Sequence, residues 1–358
     1  MRGIPGVMGG VETHCEELLP RIAARDSDLA IEVLARRPYL PGQRRAWRGL
    51  DVTPLPAVRH SHFEAVGSTA LGILYARWRG AQIVHVHAIG PALLVPLARA
   101  LGLRVVMTHH GDDYNRAKWG RFAKFMLRTG ERWGLARADR VIAVSPSLAR
   151  RLARDYPAAK TRIRYIPNGA PALEADTESE AEILARLGLE PGGFILAVGR
   201  LVPEKGFDYL IDAHRRSGTH RKLVIVGDAD HGSAFSRKLE ELSGDTALLA
   251  GRQPRSVLKT LYAHTDLFVL PSFHEGLPIV ALEAGFSGAP MLLSDIQPNL
   301  DIGLPERHYF PVGDVEALAK RLAESGSAFA IDSAALRRRF DWDEIADRTL
   351  AVYRAIME

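Results

Sequence analysis

The chain has 358 residues, 47% hydrophobic and 25% charged, with 32 Gly and 21 Pro. This balance excludes disordered, fibrous and collagen-like chains, and the length points to two domains. The net charge of +5 hides a split: residues 1–170 hold 27 Lys and Arg against 13 Asp and Glu, and the remainder is net −9, so the N-terminal half is the one suited to an anionic partner.

In chain order, Met1 to Gly10 holds four glycines and a proline, which does not read as a leader. A helix is expected over about Val11–Arg25. Apolar, β-branched runs at Leu29–Ala35, Gln82–Ala88, Arg104–Thr108, Val141–Ser145 and Ile163–Pro167 predict strands. Helical patterns lie between them at about His62–Arg79, Pro91–Leu101, Ala117–Arg137 and Ser147–Asp155. The alternation pauses over Gly169–Asp176. It resumes with strands at Phe194–Val198, Leu223–Gly227, Ala247–Ala250, Leu267–Leu270 and Met291–Ser294. Short runs apolar at every position suit parallel strands buried on both faces. The reading is therefore two doubly wound α/β domains facing a cleft, with ligands at the carboxyl ends of the strands. The longest apolar stretch, Ile89 to Leu103, is broken by Pro91, Pro96 and Arg99 and is too short to span a bilayer. The single cysteine, Cys15, fits a reducing, cytoplasmic compartment.

Polar residues collect at the expected strand ends. The first half offers His85 and His87, then His109-His110-Gly111, then Asn168-Gly169. The second half offers Gly199-Arg200 with Lys205-Gly206, and Pro271-Ser272-Phe273-His274-Glu275-Gly276. The glycines around Gly9 and Gly10 would let backbone N–H groups and a helix dipole approach a phosphate. Arg200 and Lys205, five apart, suit a diphosphate, unless Glu204 neutralises one of them. A helix starting near Pro278 would offer free N–H groups to a second phosphate. Glu283 lies on that otherwise apolar helix and needs a partner, either sugar hydroxyls or a buried Arg or Lys. His110 could accept hydrogen bonds or carry a proton as a neutral imidazole, or be a packed core histidine. His85 and His87 share one strand face and His109 and His110 point oppositely, so one coordination sphere for these four is not expected. Asp-x-Asp triplets at Asp26/Asp28, Asp228/Asp230 and Asp341/Asp343 sit in unrelated contexts, and no metal is assigned. Lys118, Arg121, Lys124, Arg128 and Arg132 interleave with Trp119, Phe122, Phe125 and Trp133. Such a helix either lies in an anionic membrane interface or turns its aromatics into the core. Nucleic acid is not expected.

Taken together, Gly9-Gly10-Val11-Glu12, Thr108-His109-His110-Gly111, Val141–Ser145, Ile166-Pro167-Asn168-Gly169, Gly199-Arg200 with Glu204-Lys205-Gly206, and Pro271–Ala284 resemble the retaining glycosyltransferases of family 4. That resemblance implies the GT-B fold of two Rossmann-like domains. Residues 1–170 would bind the acceptor and 171–341 a nucleoside diphosphate sugar, with a helix in 342–358 packing back on the first domain. It implies that Arg200 and Lys205 hold the donor diphosphate and Glu275 the transferred sugar. Gly276, Leu277 and Pro278 would give backbone contacts, and Glu283 would bind the ribose. Gly9 and Gly10 would approach the donor phosphate and His110 the sugar, with His87, His109 and Asn168 on the acceptor side. It also implies catalysis without a metal or other cofactor, and a glycan or lipid-linked acceptor in polysaccharide biosynthesis at the inner face of the membrane. In this family a short buried strand usually leads into the glycine-rich turn, whereas Met1 here already lies in that turn. The alternatives are a nucleotide-sugar epimerase of related fold and an inactive sugar-nucleotide binder.

Overall fold

A computed structural model describes all residues except 8, 58–63, 116–118, 172, 174–176 and 229–233. Met8, Ala117, Lys118, Asp230 and part of the Gly169–Asp176 break thus lie outside the described residues. Thirteen strands are described: β1 (Glu32–Arg36), β2 (Arg45–Trp47), β3 (Leu50–Leu55), β4 (Ile83–His87), β5 (Arg104–His109), β6 (Arg140–Ala143) and β7 (Ile163–Tyr165), followed by β8 (Phe194–Val198), β9 (Lys222–Val226), β10 (Ala247–Leu249), β11 (Leu267–Leu270), β12 (Met291–Ser294) and β13 (Tyr309–Phe310). The chain divides into two compact units: Met1–Gly169 with Phe340–Glu358, and Ala170–Arg339.

The second unit holds one six-stranded sheet in the order β10-β9-β8-β11-β12-β13, parallel throughout. Every residue of β8, β11 and β12 is buried, as their unbroken apolar runs require when helices cover both faces. From β8 the chain winds outward through β9 and β10, then returns to pair β11 with β8 and winds the other way. The connection therefore reverses direction between β8 and β11.

In the first unit the strands form two separate sheets, β1-β3-β2 and β4-β5-β6-β7. The antiparallel β2 and the polar-faced β3 escape an apolar-run reading, because β2 (Arg-Ala-Trp) is largely exposed. The helix expected at Pro91–Leu101 is two short ones, Ile89–Ala92 and Val95–Ala100. The C-terminal helix Trp342–Met357 packs in this unit, where Trp342, Ile345, Leu350 and Tyr353 join Leu18, Ile22, Val106, Ile142 and Ile166 in one buried cluster. Asp341 caps it by accepting from the N–H groups of Asp343 and Glu344, Arg25 pairs with Asp343 at 2.8 Å and Asp347 at 2.7 Å, and Arg354 pairs with Asp26 at 2.9 Å. Two of the three Asp-x-Asp triplets thus have structural roles. No helix among the described residues is long and apolar enough to cross a membrane.

Candidate functional site

In a doubly wound sheet, ligands bind outside the carboxyl ends of the strands where the winding reverses. Here that point lies between β8 and β11, and the loops after these two strands carry Arg200, Lys205, Ser272 and Glu275. The two loops are tied together. Phe273 N–H donates to Glu204 O at 2.9 Å, and the Tyr209 hydroxyl donates to Pro271 O. Close approach is required here. Gly206 has φ of +68°, and a Cβ on it would stand 2.4 Å from Pro271 O. A Cβ on Gly227, after β9, would stand 1.8 Å from Gly199 O.

On this floor Lys205 Nζ donates to Glu275 Oε1 at 2.5 Å, and the Ser272 hydroxyl donates to the same oxygen at 2.7 Å. The Lys205 and Glu275 side chains are only 14% and 10% exposed. Glu275, not Glu204, is the carboxylate that Lys205 meets. Ser272 is itself held by a buried network: Ser294 Oγ donates to Ser272 O at 2.6 Å, and Asn299 Nδ2 donates to Ser294 O and Oγ, both at 2.9 Å. Buried polar groups satisfied in this way fix one geometry. Arg200 is half-buried just after β8. Gly276 is half-buried and Leu277 and Pro278 are buried. Pro278 caps the helix Ile279–Phe286, whose first turn leaves N–H groups outside its ladder. Glu283 is buried on that helix and accepts from the Tyr262 hydroxyl at 3.1 Å, so a phenol donates where an Arg or Lys was one of the expected partners. Burial, with the carboxylate beside it, pushes the Tyr262 phenol well above its ordinary range.

The first unit gathers histidines. His14, which the sequence reading passed over, projects from the helix Gly10–Arg25, and its Nδ1–H donates to Asn168 Oδ1 at 2.9 Å. His87 Nδ1 lies 3.1 Å from His110 Nε2. One nitrogen each of His14, His87 and His110 falls within 4.8 Å of the others. His85 is held apart by the Tyr353 hydroxyl at 2.6 Å and Thr108 Oγ1 at 2.7 Å. Burial lowers the imidazole of His14 to about 4 and that of His85 to about 3. It carries those of His87 and His110 well below 6.5, helped by their histidine neighbours. All four are therefore neutral at pH 7, suited to accepting hydrogen bonds. His109 is fully buried on the other side of β5, bonded to Glu131 at 2.8 Å. Arg151 and Tyr156 also donate to Glu131, at 2.8 and 3.0 Å. Burial raises the Glu131 carboxyl, but the bonds and charges of His109 and Arg151 overcome this and hold it at about 2. His109 is thus a structural group, removed from His87 and His110. Gly9 is crowded by Arg2 and Glu12, while Gly10 has open space around its Cα.

The basic helix runs over Arg121–Arg137. Its aromatics do not enter the core: Phe122 and Phe125 are each 64% exposed and Trp133 40%.

Residues 8–172 match the family description Glycosyltransferase Family 4, and residues 180–326 match Glycosyl transferases group 1. The chain is 35% identical over 180 residues to D-inositol 3-phosphate glycosyltransferase of Nocardia farcinica, a match covering 47% of this chain and 40% of that enzyme. It thus spans less than half the length of that relative. In structure it is similar to sucrose-phosphate synthase from Thermosynechococcus elongatus, with TM-score 0.79, 22% identity, and 98% and 94% of the two chains covered. It is also similar to Anabaena HepE in complex with UDP-glucose, with TM-score 0.75, 17% identity, and 99% and 97% covered. With two Rossmann-like units of GT-B type and both family descriptions matched in order, the chain belongs to the family 4 glycosyltransferases.

Proposed function

We propose that the protein transfers a hexosyl group from a nucleoside diphosphate sugar, with retention at the anomeric carbon, to a glycan or lipid-linked acceptor. The observation that carries this reading is the Lys205–Glu275–Ser272 cluster, fixed at the winding reversal beside the start of the helix Ile279–Phe286. Lys205 and Arg200 supply fixed positive charge, and the first turn of that helix supplies N–H groups. This is the equipment a departing diphosphate needs, and it acts without reorganisation in the transition state. HepE, the structural neighbour solved with UDP-glucose, supports a donor of this kind.

The Glu275 carboxylate accepts hydroxyl protons of the bound sugar, and Glu283 accepts from a ribose. The acceptor hydroxyl oxygen forms the new bond to the anomeric carbon on the face from which the phosphate oxygen leaves. The bond to that oxygen breaks, and the acceptor's proton passes to it. Such front-face attack fits a site whose one central carboxylate is already engaged by a lysine and a serine, which makes it a poor nucleophile. Neutral His110, with His87, Asn168 and His14, handles hydroxyls in the first unit, and Gly10 leaves room for a phosphate. No metal or other cofactor enters these steps.

Incubation with UDP- and GDP-sugars, with and without candidate acceptors and a chelator, tests the reading. Proton NMR is expected to show product with the donor's anomeric configuration, at the same rate with chelator present. Inversion, or loss of turnover on chelation, overturns it. Epimerised donor in the absence of acceptor would identify an epimerase instead.

We further propose that the acceptor is met at an anionic membrane surface through the helix Arg121–Arg137. Exposed Phe122 and Phe125 can enter the interface while Arg121, Arg128 and Arg132 meet headgroups, each cation contributing on the order of 1 kcal/mol. Sedimentation with phosphatidylserine vesicles is expected to weaken with salt and to fall at least tenfold in Phe122→Ser/Phe125→Ser. Absence of binding at low salt removes this part of the reading.

A further inference from the structure

Three imidazoles of the first unit are brought together by regular elements rather than by loops. His87 ends β4 and His110 directly follows β5, and these two strands are parallel neighbours. His14 lies on the helix Gly10–Arg25 with its ring edge-on to both, the centroids 4.9 Å from His110 and 5.5 Å from His87.

Asn168 fixes the tautomer of His14. Nδ1–H donates to Asn168 Oδ1 at 2.9 Å, so the lone pair is on Nε2. That Nε2 is buried and has no hydrogen-bond partner among the described residues, while His14 as a whole is 2% exposed. A buried acceptor left unmade is costly, and one in a native core calls for an explanation. Its surroundings supply one. His87 Nδ1 and His110 Nε2 are 3.1 Å apart, and one nitrogen from each of the three rings lies within 4.8 Å of the others. Around a zinc ion, with Zn–N bonds of about 2.0–2.1 Å, tetrahedral nitrogens stand about 3.4 Å apart. The His87–His110 pair already has nearly that spacing, and no other gap must close by more than about 1.4 Å.

The ligand types select the cation. Three neutral imidazoles suit zinc, nickel or copper, whereas magnesium and calcium take oxygen ligands. The bond from His14 Nδ1–H to a side-chain oxygen is the outer support that metal-bound histidines commonly have. A second group, His109, Asp112 and Glu131, is equally close-set, but Arg151 donates to both carboxylates and is itself the cation there. Cys15 Sγ is nearer His87 Nε2, at 3.6 Å, than His87 Nδ1, at 3.9 Å, and does not belong to the trihistidine group.

We propose that His14 Nε2, His87 Nδ1 and His110 Nε2 form a site for one divalent cation of the zinc class, with water in the fourth position. The hydrogen bond between His87 and His110 gives way, and its proton passes to the far nitrogen of the ring that carries it. Occupancy removes the lone pairs that the transfer reading assigns to hydroxyls, so the cation is an inhibitor and not a cofactor. This last consequence rests on the transfer reading; the binding does not.

The test titrates the metal-stripped full chain with zinc chloride, and separately with magnesium chloride, by calorimetry. X-ray absorption at the zinc edge then counts the ligands in the loaded protein. One tight equivalent of zinc is expected, with three imidazoles and no sulfur, and no uptake of magnesium. Affinity falls about a hundredfold in His14→Ala and in His87→Ala, falls about 10- to 100-fold in Asn168→Ala, and is unchanged in Cys15→Ser. Unchanged affinity in both histidine variants places the zinc on other histidines and overturns the proposal. A sulfur ligand, or fewer than three imidazoles, overturns it too, and that count is made on the unaltered chain whether or not a variant folds. Turnover of the stripped chain is expected to fall at least tenfold with one equivalent of zinc and to return with chelator. Zinc held by the three histidines with turnover undiminished overturns the inhibition. Binding is read with no donor present, so its failure and that of the transfer reading are separate results.

Discussion

Replacing Lys205 by alanine lowers kcat/KM by about 10²–10³, the loss typical of removing one fixed electrostatic contact in a transition state. The same substitution destabilises the second unit, because it removes the cation beside Glu275, 10% exposed, and among the described residues leaves that carboxylate the Ser272 hydroxyl. Glu275→Gln keeps the shape and the Ser272 bond but removes the charge, so activity falls similarly while stability falls less. The double substitution separates the two effects. It restores thermal stability relative to Lys205→Ala, since no uncompensated carboxylate is left, and its activity is no lower than that of the worse single variant. Groups acting as one unit behave in this non-additive way. Losses that multiply would show that the two residues act independently, and would sink the assignment of this pair as one catalytic element.

Acidification unfolds the first unit before the second. His14 and His85 titrate at about 4 and 3 when folded against about 6.5 in the unfolded chain, and His87 and His110 are displaced in the same direction. Below pH 6.5 the unfolded chain binds protons that the folded chain refuses. Stability therefore falls as pH drops from 6.5 towards 4, by about 1.4 kcal/mol per pH unit for each histidine engaged. Glu131, folded at about 2 against an ordinary 4.5, adds to the loss below pH 4.5, where the unfolded carboxylate takes its proton first. Denaturant titrations at pH 7.5 and 5.0 check this, with tryptophan fluorescence as a reporter: Trp47, Trp78, Trp119, Trp133 and Trp342 all belong to the first unit. Equal midpoints at the two pH values would mean that the imidazoles are hydrated and free to charge.

The strands that carry the site were legible because their surroundings allow little choice. β8 and β11 are buried on both faces, so each is an unbroken apolar run that ends sharply in Gly199-Arg200 or Pro271-Ser272. Lys205 and Glu275 were each legible for the same reason, as charged residues after a buried strand, but their pairing was not, since Glu204 stood nearer in sequence as a partner for the lysine. β2 was not, because an exposed Arg-Ala-Trp segment has no burial to impose a pattern. The helix Arg121–Arg137 was legible in its periodicity but not in its orientation, since sequence does not say which neighbour covers an aromatic stripe. His14 was hidden because one histidine on an amphipathic helix is unremarkable until Asn168, 154 positions away, is brought against it. Ser272, Ser294 and Asn299 were hidden likewise, as their network forms only when the end of β12 and the short helix Gln297–Leu300 meet the loop after β11.

The C-terminal helix has a temporal consequence. Because Trp342–Met357 completes the buried cluster around Leu18 and Ile142, the first unit lacks part of its core until that helix has been made. The second unit, Ala170–Arg339, is one uninterrupted stretch and has no such wait. The usual N-to-C order of domain maturation on the ribosome is thereby reversed. The half made first keeps an incomplete core until after Ala170–Arg339 has been made.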